Sequence, residues 1–168
     1  MPESVEDLQS SGIAPALGRV PSGLFILVAS DGESRQTGLL ASWIQQASFD
    51  PPQVTVAVNK ARYLNDWLQD GAPVSISQIP QKDPGLLKHF GRGFEPDQDA
   101  FSGLDVTMGE NGLPILTGAM CALEGQVAGR LNAGDHIIYL ITLTRGSGPD
   151  DSLNLLPFIH IRKNGLGY

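Results

Sequence analysis

The chain has 168 residues, 41% hydrophobic and 17% charged, a globular composition long enough for one domain with a sizeable core. A net charge of −7 leaves no basic stripe to neutralise a phosphate backbone, which argues against nucleic acid and against a membrane surface as partners. The one cysteine, Cys121, sits in an apolar run and reads as a small buried hydrophobe. It can build no disulfide framework, which favours a reducing compartment. The N-terminus shows no cationic leader and no apolar stretch approaches the about 20 residues of a membrane span, so a cytoplasmic location is expected.

In chain order, Ser4 and Asp7 predict the N-cap and first turn of a helix. A short helix over 15–19 should stop before Pro21. Residues 24–29 are a β-forming run, Asp31-Gly32 a turn, and 36–43 the returning strand of a hairpin. A polar loop then leads to Pro51-Pro52, a rigid boundary, and 53–59 alternates Val54, Val56 and Val58 with Thr55, Ala57 and Asn59, the period of a strand. Residues 62–70 predict a helix with Leu64, Trp67 and Leu68 on one face and Gly71 after its end. Residues 73–77 predict a strand, and 84–90 a helix capped by Asp83.

A Gly-containing loop follows over 91–102, anchored by Phe94 and Phe101, and then a turn at Asn111-Gly112. A long β run is expected over 116–128, a turn over 131–134, a strand over 136–144, an exposed turn over 146–151 and a last strand over 158–161. Short strands dominate and no repeat or linker interrupts them. One mainly β domain over 1–168 is expected, an antiparallel split β-barrel with a few helical insertions.

The stretch from Gln36 to Asn59 carries the chemistry. Small residues, hydroxyls and free backbone N–H groups on a rigid β platform suit a flat, phosphate-bearing ligand. Thr37-Gly38-Leu39-Leu40-Ala41-Ser42-Trp43, followed by Ser48-Phe49-Asp50-Pro51-Pro52, resembles the FMN-binding segment of the flavin reductase-like split-barrel family. The segments 16–23, 114–119 with Leu123-Glu124, and the Gly134-Asp135-His136 turn resemble further blocks of that family, in the same order. The tail from His160 through Arg162 and Lys163 to Tyr168 resembles the flavin reductase module of flavodiiron proteins.

The resemblance implies an NAD(P)H:flavin oxidoreductase holding FMN, with FAD also possible, and NADH or NADPH as co-substrate. A homodimer with flavin near its interface and an electron-acceptor protein are the implied partners. The alternatives are an FMN-holding electron carrier without pyridine-nucleotide turnover, and an amine-oxidising split barrel.

On this reading the stretch Leu39, Leu40, Ala41, Ser42 and Trp43 walls the flavin ring, alternate residues facing it and Ser42 with main chain around Leu40 as donors; Thr37 lies beside them and Ser48 is a second hydroxyl. Lys60 and Arg62, after a strand and at a helix start, are candidates for the phosphate. The family often places Arg, an aromatic and then Thr here, whereas this chain has Arg62-Tyr63-Leu64. His136 is the candidate catalytic residue, near flavin or nicotinamide, with a turn-securing histidine as the competing role. His160 and Arg162 are implied cofactor or subunit contacts, with a surface strand-edge pair as the competing role. The three histidines have no metal-ligand spacing, and there is no Walker loop or nucleophile elbow. Gly91-Arg92-Gly93 opens like a dinucleotide fingerprint but follows a helix rather than a strand, so that reading fails.

Overall fold

The structure is a computed structural model and describes residues 4–81, 83–149 and 154–161. Arg162 and the tail beyond it lie outside the described residues. Two short helices open the chain. α1 (Val5–Ser10) starts as predicted: the Ser4 hydroxyl accepts from the Asp7 N–H and the Asp7 carboxylate accepts from the Ser4 N–H. α2 (Ile13–Leu17) begins two residues before Pro15, which the first turn tolerates, and closes at Gly18.

Eleven strands follow among the described residues: β1 (Ser22–Gly23), β2 (Phe25–Ser30), β3 (Gln36–Ala41), β4 (Ile44–Phe49), β5 (Pro52–Asn59), β6 (Pro73–Gln78), β7 (Val106–Met108), β8 (Pro114–Leu116), β9 (Cys121–Ala133), β10 (His136–Ser147) and β11 (Ile159–His160). Seven form one antiparallel sheet in the order β3-β2-β6-β9-β10-β5-β4. Its two edge strands, β3 and β4, are consecutive in the chain with only Ser42 and Trp43 between them. One run of backbone therefore pairs with β2 on one side and β5 on the other. The Ala57 N–H donates to the Trp43 carbonyl at 3.0 Å, so the sheet curls until its edges meet. This is the split barrel expected from the sequence.

The β alternation sorts the two faces. Leu27, Ala41, Ile44, Val54, Val56, Val58, Ile76, Tyr139 and Ile141 fill the barrel. Full burial of one such aliphatic side chain stabilises the fold by about 1.5–3 kcal/mol. Tyr139 is fully buried, and its phenol is satisfied by donating to Asn65 Oδ1 at 2.9 Å.

A second cluster lies outside the barrel, where Ile26, Val28 and Ile79 are covered by Leu86 and Phe90 of α3 (Pro84–Phe90) and by Leu113 and Leu116. Asp83 caps α3 through the N–H groups of Gly85 and Leu86. The helix packs so closely on β3 that a Cβ at Gly38 would lie 2.4 Å from the Phe90 ring. By register, the outer face of β4, β5, β10 and the end of β9 carries Trp43, Ala57, Asn59, His136, Ile138 and Leu131 instead.

Four expectations are corrected. The polar stretch before Pro51 is not a loop but β4, an edge strand whose exposed Gln45 and Gln46 hide its backbone pairing with β5. The helix expected over 62–70 is a single 3₁₀ turn, Tyr63–Asp66. The side chains of Asn65 and Gln69 donate to backbone carbonyls of this segment, offering it bonds that compete with a longer helix. β9 and β10 run on to Ala133 and Ser147, so the turn is the pair Gly134-Asp135 and the expected turn at 131–134 is mostly strand. Finally, β7 and β8 form an additional hairpin around the expected Asn111-Gly112 turn. Among the described residues no helix is long and apolar enough to cross a membrane.

Candidate functional site

The capped and open parts of the barrel surface meet along β3 and β5. Leu39, Leu40 and Ala41 there form one wall of a cleft of about 90 Å³; Ala57, Val58, Asn59 and Arg62 form another, and Phe90, Gly91 and Gly93 close its end. Gly93 also lines a separate groove of about 890 Å³, together with Lys88, His89, Arg92 and Phe94, among others. Ligand sites commonly enclose roughly 300–1,000 Å³, so the cleft alone seats only part of a cofactor-sized molecule.

Arg62 brings charge to the cleft wall, and Lys60 stands two residues before it outside the lining. Lys60 and Arg62 are exposed and follow the end of β5. The Arg62 guanidinium lies so near Gly93 that an added Cβ would sit 3.3 Å from Nη1, and Gly93 has φ +72, so its backbone also asks for glycine. The 3₁₀ turn after Arg62 has four residues and adds little dipole. An anion here would be held by the guanidinium and ammonium themselves.

His136 opens β10 directly opposite Asn59. It is 7% exposed, although it points to the outer face, because the Trp43 ring covers it at 4.8 Å between centroids. Its Nδ1 lies 2.8 Å from Asp135 Oδ1. Its Nε2 is buried and has no hydrogen-bond partner among the described residues. Such a group costs free energy unless something satisfies it. The hydrogen bond from His136 holds the Asp135 carboxyl below its ordinary range, and nearby Lys60 adds to the effect. The Lys60 N–H donates to the Asp135 carbonyl at 2.9 Å, tying the end of β5 to the β9–β10 turn.

Apolar wall, cationic end and an unsatisfied buried nitrogen suit a flat heteroaromatic ligand with an anionic tail. The family comparison agrees: a model described as flavin reductase like domain matches residues 17–166. The chain belongs to the flavin reductase-like family.

Diflavin flavoprotein A 1 of Synechocystis is 39% identical over 137 residues, covering 81% of this chain and 24% of that protein. Putative diflavin flavoprotein A 3 of the same organism is 36% identical over 169 residues, 100% of this chain and 27% of its own length. The chain therefore spans about a quarter of the length of these curated relatives. The NADH:FAD oxidoreductase SgcE6 of Streptomyces globisporus C-1027 superposes with a TM-score of 0.82 at 21% identity, over 97% of this chain and 92% of that one. An FMN-binding protein from Thermus thermophilus gives 0.72 at 22% identity, over 88% and 85%. At such identity these two likenesses speak for the flavin reductase-like fold.

Of the residues singled out in the sequence, Leu39, Leu40, Ala41 and Arg62 line the cleft. Ser42 is buried at the β3–β4 junction, beside Trp43 and the wall residue Ala41, and Lys60 is tied to the turn that carries His136. Others stand apart. Thr37 is buried and its Oγ1 accepts from the Tyr63 hydroxyl at 3.0 Å, so it braces β3 against the 3₁₀ turn rather than lining the cleft. Ser48 sits at the far end of β4, opposite Gln53. His160 pairs with Ser22 in the small β1–β11 sheet. Arg162 lies outside the described residues.

Sequence reasoning missed Asn59, Phe90, Gly91 and Gly93 as lining residues, and Asp135 as the partner of His136. The Gly91-Arg92-Gly93 run was the available signal. It fails as a dinucleotide fingerprint because it closes a helix, yet its glycines let backbone approach the cleft.

Proposed function

We propose that this chain holds FMN in the cleft between β3 and β5 and works as an NAD(P)H:flavin oxidoreductase. The observation that carries this reading is the cleft itself, with the Leu39–Ala41 wall on one side and Arg62 on the other; His136, with its unsatisfied Nε2, does not line it but pairs in the sheet with the lining residue Asn59. Leu39, Leu40 and Ala41 would lie against the ring, and Arg62 with Lys60 would bind the phosphate through charge-assisted contacts. When bound, the flavin supplies the redox chemistry, accepting hydride from the reduced nicotinamide. The protein's part is to bind and orient both nucleotides and to offer a histidine nitrogen beside them.

The outer face of β4, β5, β10 and β9 is also apolar in part, with Trp43 and Leu131 exposed. We assign this face to a second copy of the chain, which would complete the cleft in a homodimer. A cytoplasmic location and an electron-acceptor protein belong to the same proposal. A second reading, an FMN-holding carrier that serves a redox partner, is favoured by one fact: the chain matches about a quarter of proteins named diflavin flavoproteins. Steady-state NADH and NADPH oxidation with added FMN or FAD separates the two. Turnover that saturates in flavin and nucleotide is expected. Tight flavin retention without turnover would select the carrier.

A further inference from the structure

The pairing of Asp135 with His136 emerges only from the structure. Asp135 occupies the two-residue turn with Gly134, whose φ of +63 reverses the chain between β9 and β10. The Lys60 N–H holds the Asp135 carbonyl from the end of β5, and this leaves the carboxylate directed at Nδ1 of the next residue. An ionised carboxylate is an acceptor only, so the 2.8 Å contact requires the proton on Nδ1. In the neutral imidazole the second nitrogen, Nε2, then carries a bare lone pair. That atom is buried and has no partner among the described residues, and the Trp43 ring lies tilted against the imidazole with centroids 4.8 Å apart.

We propose that Asp135 is a positioning residue: it locks His136 in the Nδ1–H tautomer, so that Nε2 presents an acceptor to an N–H or O–H of the bound ligand. The site therefore selects a ligand that brings a hydrogen-bond donor to Nε2, and disfavours one that brings a carbonyl or carboxylate there. The inference rests on the flavin-site reading for the ligand, but the tautomer itself belongs to the free protein.

The test is ¹⁵N–¹H correlation spectroscopy of the imidazole in the flavin-free protein near pH 8, for wild type, Asp135→Ala and Asp135→Asn. Expected in the wild type is a protonated Nδ1 and a bare Nε2. Alanine should lose that pattern in favour of Nε2–H, and asparagine, whose Oδ1 still accepts, should restore it. In parallel, Asp135→Ala should slow NAD(P)H-dependent flavin reduction by roughly 10- to 100-fold, the range for losing the group that orients a metal-bound imidazole. Flavin affinity should fall less than the rate of reduction does.

A wild-type spectrum with the proton on Nε2, or a pattern unmoved by alanine, overturns the lock. Unchanged reduction rates with a switched tautomer overturn the positioning role. If the spectra behave as expected and the wild type reduces no flavin, the lock stands and the functional reading above fails.

Discussion

Single residues decide how this cleft holds charge. Arg62 is exposed and free of a long helix that could supply its field, so its guanidinium should contribute directly to binding. Arg62→Ala is expected to weaken FMN binding by about 1.5–3 kcal/mol, the range of a hydrogen bond to a charged group, as read by fluorescence titration. An unchanged dissociation constant would remove Arg62 from the site.

Asp135 gives a pH signature with a definite sign. Its folded carboxyl titrates below the ordinary value of about 3.9, mainly because His136 bonds it. The contribution of this contact to stability is therefore fully present above that ordinary value and lost as the pH falls through the lower folded one. Chemical unfolding at a series of pH values should show the stability gap between wild type and Asp135→Ala shrinking below about pH 4. A gap that widens on acidification contradicts this sign.

At the scale of elements, α3 is the lid on one half of the barrel, and its fit depends on Gly38. An added methyl would meet Phe90 at 2.4 Å and Ile26 Cγ2 at 3.1 Å. Gly38→Ala should cost about 1–3 kcal/mol in denaturant unfolding, as overpacking does. It should also weaken flavin binding, because Phe90 and Gly91 close the cleft. Wild-type stability in this variant would show that α3 can slide.

Most of the elements were legible in the sequence because their patterns were strong: the Val54-Val56-Val58 alternation, the Ser4 and Asp83 caps, the Asp31-Gly32 turn. β4 was not legible, since an edge strand exposed on one face needs no apolar alternation and its signal is backbone pairing. The 3₁₀ turn was overread as helix because the apolar spacing of Leu64, Trp67 and Leu68 serves barrel packing here. In the cleft, the β3 wall and Arg62 were visible through the family resemblance. Asn59, Phe90 and Gly93 were not, because they converge from the end of β5 and from the end of α3 with the loop after it, which are distant in sequence. Only the register and the α3 packing bring them together.

For the molecule as a whole, the barrel is capped on one face and bare on the other. Leu131 is 65% exposed on the bare face, opposite Ile138 and in line with His136. Light scattering should report a dimer for the wild type and a shift toward monomer for Leu131→Asp, which would bury a charge in the interface. A wild-type monomer at micromolar concentration would place the open face elsewhere than against a second copy.

The central claim is that the cleft is a flavin site, and titration of the purified, flavin-free chain with FMN tests it most directly. Absorbance and fluorescence should show saturable binding of one FMN per chain, weakened by Arg62→Ala. Absence of saturation at micromolar FMN and FAD would leave the barrel as described and contradict the function proposed for it.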